Sequence, residues 1–461
     1  MKLRKLIAVV VMLIASGWAQ VIDANTLGID CSGKIDNAPQ WQRIVNAAGE
    51  DASFSLPTGC VDMHTSTVTV SSRADFKLMS TDRVQNGGGN RRPIELWTGT
   101  TGGMWDFQAN QAPTIEGFLF SNTTNLDYYL RFDGDPGARI GTEALIRYNT
   151  FTNNTNDPKF SAVLINVVSG QNHEKNVITD NDFFCSQSKA FRESDSGQTT
   201  SGNKTLTCGL GNCAFMTDAN VGDRIRVSYA TGILDTTVQS ITDNNHLVMA
   251  AVATSNQTGA RVHFRQAHGN GITIGSVNSK HNTIDRNSFT QCSCGLNVVN
   301  GSFSASMLTG SADDTLACIG NVSEGSKLDY LASENSLRDL YVGNMDAPLE
   351  ISHARNSIYN AESDGFIYFA RSARVTMNGS TIQSTPVANS VLIRAANPST
   401  VVLLSFGNLW GPGAVDKKSL GFSQWDGITG PQGALISCGD FGMTDQDGNW
   451  TSPITCGAWT H

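Results

Sequence analysis

Apolar residues recur along this chain at two spacings, one helical and one extended. Trp41, Ile44, Val45 and Ala48 fall at i, i+3, i+4 and i+7, which predicts an amphipathic helix near the N-terminus. Elsewhere the apolar positions come in short runs broken by Gly, Asn, Ser and Thr, the pattern of brief strands joined by tight turns. Three runs align without gaps: Leu145-Ile146-Arg147-Tyr148-Asn149-Thr150-Phe151, Val177-Ile178-Thr179-Asp180-Asn181-Asp182-Phe183 and Thr283-Ile284-Asp285-Arg286-Asn287-Ser288-Phe289. Ile115-Glu116-Gly117-Phe118-Leu119-Phe120 fits the same frame, with Phe120 at the aromatic position. Asn149 and Asn181 are 32 residues apart, and Phe120 and Phe151 are 31 apart. Such a period is the signature of a stacked array. The alternation places Ile and Phe inside and Asn at a corner, where it tolerates bent backbone and can stack in a ladder. The expected fold is all-β, a right-handed parallel β-helix solenoid with an N-terminal capping helix.

The next step, from Asn181 to Asn287, is 106 residues. It exceeds the period by about 75, which implies one insertion between adjacent turns. Residues 190–266 supply it, with alternating runs at Val221 to Val227, Thr237 to Ile241, Leu247 to Met249 and Val262 to Phe264. After Cys294 short strands crowd together as far as Trp410, and the Gly-rich remainder reads as a C-terminal cap. The expected organisation is a signal peptide over 1–19, an N-terminal cap over 20–60, the first part of the β-helix over 61–189, a small β-module over 190–266, the second part over 267–410 and a cap over 411–461.

The signal peptide rests on Lys2, Arg4 and Lys5 followed by an apolar run from Leu6 to Ala15, with small residues at Gly17 and Ala19. That run is too short to span a bilayer, so the product is expected to be secreted or periplasmic, without membrane insertion. Removing the three basic residues leaves 29 Lys and Arg against 41 Asp and Glu, a net charge of −12. This acidity argues against nucleic acid as a partner. Ten cysteines in an exported chain favour disulfides. Cys31 with Cys60 and Cys438 with Cys456 each bracket a cap, Cys208 and Cys213 flank a Gly-rich turn, and Cys185 and Cys292 occupy near-equivalent places on adjacent turns. Metal binding by Cys292-Ser293-Cys294 is the lesser reading, since no second ligand pair follows at suitable spacing.

The helix is preceded by Asp36-Asn37-Ala38-Pro39-Gln40-Trp41-Gln42 and followed by Leu56-Pro57-Thr58-Gly59. In this the chain resembles the pectate-lyase-like superfamily, in which such a helix closes the open end of the solenoid. The inserted segment, with Phe215 ahead of Val221-Gly222-Asp223, is similar to a small β-module of some β-helix and tailspike-like proteins. The resemblance implies a polysaccharide partner and a lyase, hydrolase or epimerase chemistry. The alternative is a noncatalytic carbohydrate-binding or cell-surface structural protein. His268-Gly269-Asn270-Gly271-Ile272-Thr273-Ile274-Gly275-Ser276 looks like a polygalacturonase motif, but the motif's Asp-Asp pair should precede it and Asp313-Asp314 follows. The Trp-Ile-Asp-His signature of pectate lyases and the Asp-Pro-His pattern of alginate epimerases are absent. Calcium is compatible with such chemistry, but no motif for it is present, and cofactor and oligomeric state stay open.

Among candidate residues, Asp346, Glu350 and His353 lie in the densest acidic stretch containing a His, and His268 and Asp314 are secondary catalytic candidates. Paired carboxylates serve as acid and base in glycoside hydrolysis when they face each other. The bland alternative is a solvated polar face. If Asn149, Asn181 and Asn287 stack, two mixed-charge columns line the surface: Glu143, Lys175 and His281, and Tyr148, Asp180 and Arg286. These read either as a sugar-binding strip or as ion pairs along a sheet. Trp97, Trp105, Tyr128, Tyr129 and Trp410 are candidates for stacking on sugar rings.

Overall fold

Turn residues at regular places cut most coils of the chain into three short strands, two entering one sheet and one entering another. The structure is a computed structural model describing residues 21–460 apart from loops, the longest being 82–91, 358–366, 383–392, 411–423 and 439–456, with side chains described no further than Ser380. The expected signal peptide lies outside the described residues. Among the described residues sheet A has 22 strands and sheet B has 11, and successive turns pair in parallel. The chain is a β-helix solenoid.

The repeats stack in the register of their alignment: Ile146 lies opposite Ile178 and Ile178 opposite Ile284, while Phe151 faces Phe183 and Phe183 faces Phe289. Phe120, Phe151, Phe183 and Phe289 form a continuous stack with ring centroids 4.8, 4.9 and 5.2 Å apart. Beside it Asn149 donates to Asn181 at 3.2 Å and Asn181 to Asn287 at 3.0 Å. These amides are buried, and the ladder satisfies them where an unpaired group would cost about 1–3 kcal/mol. The left-handed bend falls one residue earlier than the Asn, at Tyr148, Asp180 and Arg286, with φ of 57°, 57° and 47°. A second left-handed column holds Glu143, Lys175 and His281, at 63°, 55° and 57°.

The helix Ala38–Ala47 buries Trp41, Ile44 and Val45. Its Gln42 amide donates to the Thr69 carbonyl at 3.0 Å and accepts from the Thr69 N–H at 2.8 Å. Thr69 belongs to Val68–Ser71, the end strand of sheet B, so the side chain stands in for a missing neighbour strand.

Between the turns that end near Phe184 and begin near Asn270, strands Phe191–Thr199, Thr205–Cys208, Arg224–Tyr229, Gly232–Asp243, His246–Met249 and Gln257–Arg265 close an antiparallel barrel. Leu206, Phe215, Ile225, Val227, Leu247, Met249 and Val262 form its own core. The solenoid continues directly across it, with Ser161 opposite Asn270 and Val163 opposite Ile272. Beyond it the turns tighten: Ile284 pairs with Ala305, Ala305 with Leu328 and Leu328 with Ile351, steps of 21, 23 and 23 residues.

Disulfides join Cys31 to Cys60, Cys185 to Cys292 and Cys294 to Cys318. Cys292 and Cys294 are thereby committed, which corrects the reading of that pair as metal ligands. Cys208 is also disulfide-bonded, while Cys213 and the side chains of Cys438 and Cys456 lie outside the described residues.

Candidate functional site

Alternation on sheet B sends Trp105 and Phe107 into the core and their neighbours Asp106 and Gln108 to the opposite face. The next turn repeats the arrangement: Leu130 and Phe132 point inward, Arg131 and Asp133 outward. Register places Arg131 beside Asp106 and Asp133 beside Gln108. The column running on from Arg131 holds Leu164, Thr273 and Asn297. This outward face is recessed. Asp106 is 8% exposed, Asp133 1% and Tyr128 7%, and Ser161 and Thr273 are buried with their hydroxyls 2.8 Å apart.

One guanidinium organises the charges. Arg131 Nε is 3.8 Å from Asp106 Oδ1 and bonds Asp133 Oδ2 directly, while its head lies 5.8 Å from the Tyr128 ring centre. Both carboxylates are within ion-pair reach of one nitrogen, so they stand side by side on this face. Gln108 donates to Asp106 Oδ2 at 2.9 Å, whereas Asp106 Oδ1 is buried and accepts no hydrogen bond. Burial pushes the Asp106 carboxyl above the usual range despite Arg131, and burial pushes the Tyr128 phenol up to about 12.

A second cluster lies in the core of the first turns. In Val61–His64 and Ile94–Trp97 it is the polar parity that faces inward, so Asp62, His64 and Glu95 are fully buried while Val61, Met63, Ile94 and Leu96 are half-buried. Asp62 pairs with Glu95 in register. His64 Nε2 is 3.3 Å from Asp62 Oδ2 and 3.1 Å from Glu95 Oε2. Trp41 Nε1 donates to Asp62 at 2.5 Å, Asn37 to Asp62 at 2.7 Å and Trp105 Nε1 to Glu95 at 3.1 Å. Burial works against a charged His64, but Asp62 and Glu95 outweigh it and raise the imidazole to about 10; burial, with the Asp62 charge, raises Glu95 to about 7. Among the described residues this is the group of His, Cys, Asp and Glu whose donor atoms converge closely enough to hold a metal.

The residues singled out from sequence are dispersed. Asp346 is exposed and exchanges hydrogen bonds with Asn321 at 2.6 and 2.9 Å. Glu350 lies 3.2 Å from Lys327, and His353 lies 3.3 Å from Asp329. His353 follows the strand Leu349–Ser352 with φ 52°, which turns it outward. His268 is buried, and Asp314 lies outside the described residues. Of the surface columns, Lys175 stands 3.9 Å from Glu143, His281 3.4 Å from Glu324, and Arg286 2.7 Å from Asp180. Trp97, Trp105 and Tyr129 are fully buried, which corrects their reading as exposed sugar platforms; the Trp410 side chain lies outside the described residues. Sequence reasoning missed Asp106, Arg131 and Asp133. Their signal was the repeated alternation in Trp105-Asp106-Phe107-Gln108 and Leu130-Arg131-Phe132-Asp133.

No family model and no curated protein matches the chain. Among solved structures, the catalytic unit of a GH87 α-1,3-glucanase from Streptomyces thermodiastaticus is similar at 11% identity, covering 95% of this chain and 72% of that one, with a TM-score of 0.48. The surface protein and adhesin PfbA of Streptococcus pneumoniae is similar at 9% identity, covering 93% and 99%, with a TM-score of 0.33.

Proposed function

We propose that the chain is an exported carbohydrate-active β-helix protein that holds a glycan along the recessed face of sheet B and hydrolyses it with Asp106 as general acid. The observation that carries this reading is the Asp106 carboxyl, held above its usual range by burial, with one oxygen lacking a hydrogen-bond partner on a face lined by hydroxyls and amides. Asp133, bonded to Arg131, is the partner carboxylate, and the half-buried Gln108 and Asn297 amides on the same face offer sugar contacts. The helix is read as the cap of the solenoid, since Gln42 occupies the open edge at Thr69.

A panel of neutral and acidic polysaccharides tests the proposal, scored separately for new reducing ends and for unsaturated products. New reducing ends alone are expected from the wild type, and Asp106→Asn should lower turnover by about 100-fold or more, the scale of a general acid, with an unchanged melting temperature. Unsaturated product would make the chain a lyase. If Asp106→Asn and Asp133→Asn both cleave at the wild-type rate while Glu350→Gln or Asp346→Asn does not, the site belongs on sheet A instead. Retention of a glycan without cleavage would favour the noncatalytic binding protein.

A further inference from the structure

We propose that Asp62, His64 and Glu95 are the ligands of a structural divalent transition-metal site, of the zinc class, sealed in the core of the first turns. Two carboxylates and an imidazole in a dry core are tolerated only if their charges and lone pairs are matched. Protein groups match part of this set. Trp41 and Asn37 donate to Asp62, and Trp105 donates to Glu95 Oε2. They leave Glu95 Oε1 and both ring nitrogens of His64 without a well-directed hydrogen bond.

Geometry separates an ion from a proton as the missing partner. A proton on Nε2 would need an oxygen along the N–H direction, yet neither nearby carboxylate oxygen forms such a bond, although they stand only 3.1 and 3.3 Å away. Carboxylate oxygens at this separation from an imidazole nitrogen are what a shared ion produces. Ligand bonds of about 2.0–2.1 Å at tetrahedral angles put donor atoms roughly 3.3–3.4 Å apart. All three donor atoms here lie within 4.8 Å of one another, and Glu95 Oε1, buried without a hydrogen-bond partner, is the fourth donor that tetrahedral geometry needs. One imidazole and two carboxylates suit zinc-class ions better than Ca²⁺, which takes six to eight oxygens. The indoles of Trp41 and Trp105 then act as an outer shell that orients the carboxylates. No donor atom of the three residues reaches solvent, so the ion must enter during folding and leave only on unfolding.

The test uses the full mature chain, secreted into zinc-supplemented medium and dialysed in the folded state against EDTA, which strips surface ions. Elemental analysis is expected to find about one zinc per chain, and none in Glu95→Gln or His64→Gln. A second route does not depend on those variants folding: chain produced with cobalt as the only supplement should show the visible absorption of tetrahedral Co²⁺ and keep it through EDTA. A folded wild-type chain with less than about a tenth of an equivalent of zinc, and cobalt-grown chain without that absorption, would overturn the proposal and leave a proton-held cluster. Because neither readout involves a glycan, failure here is separate from failure of the sheet B site.

Discussion

One inward column of sheet A changes character along the rod. In its first turns it reads Asp62 and Glu95; in the next four it reads Phe120, Phe151, Phe183 and Phe289. Backbone pairing is parallel throughout and the inward position is the same, so the sheet itself does not require apolar side chains there. It requires filled volume and satisfied polar atoms. The Phe turns meet that need by stacking rings, whose worth comes from apolar burial and contact and depends little on surroundings. The first turns meet it with charges that work only as a set, held by two indoles and an amide from outside the column. The apolar turns are robust and generic, and the polar turns are specific and conditional.

The largest effect that bears on this contrast is expected from Phe151→Ala, which removes a ring stacked on both sides. It should cost about 3–5 kcal/mol of unfolding free energy by denaturant titration, the range for a large aromatic in a close-packed core. A loss under about 1 kcal/mol would mean that the ladder is loosely packed and the comparison fails.

A smaller effect concerns a second buried histidine. His173 packs 5.4 Å from the Phe132 ring, and its Cδ2 would lie 2.1 Å from a Cβ at position 141, so that position accepts only Gly. Burial lowers its imidazole to about 4, opposite in direction to His64. The folded state therefore holds His173 neutral while the unfolded chain takes up a proton below about 6.5. The stabilisation is complete above pH 6.5, is lost as pH falls from 6.5 towards 4, and changes no further below that, a total of about 3 kcal/mol. Unfolding measured across this window should show the slope, and His173→Gln should flatten it. An unchanged slope in the variant would remove His173 as its source.

Replacing the barrel, Phe191–Arg265, with a short Gly-Ser linker tests whether its core is independent of the rod. Because Ser161 already lies opposite Asn270 across the insertion, the rod's unfolding transition is expected to persist with a midpoint within a few degrees of the parent. Loss of cooperative unfolding would make the barrel part of the rod. The smallest effect should come from Met63→Gln. With the polar parity inward at Val61–His64, Met63 faces outward and half-buried, so the change should cost no more than about 0.5 kcal/mol. A cost of several kcal/mol would show that the apolar parity faces the core.

Periodicity by itself determined the array. Leu145–Phe151 and its two copies carry the strand, the bend, the Asn and the Phe within seven residues, so local spacing alone sets their stacking, and the 106-residue step betrays the insertion. The helix was equally legible, because its stripe of Trp41, Ile44 and Val45 lies on one chain segment. Tertiary structure alone decided which parity faces inward where both are plausible. Val61-Asp62-Met63-His64 alternates as cleanly as any outward-polar strand, and only Trp41 from the helix, Trp105 from sheet B and Glu95 from the next turn make its polar side the buried one. The recessed face of sheet B was hidden for the same reason: Asp106, Arg131 and Asp133 are ordinary outward charges along the chain. Their burial, and the approach of two carboxylates to one guanidinium, arise between turns 25 residues apart. Spacing within a strand records what the backbone does locally; the dielectric around a side chain is set by atoms that other turns bring to it.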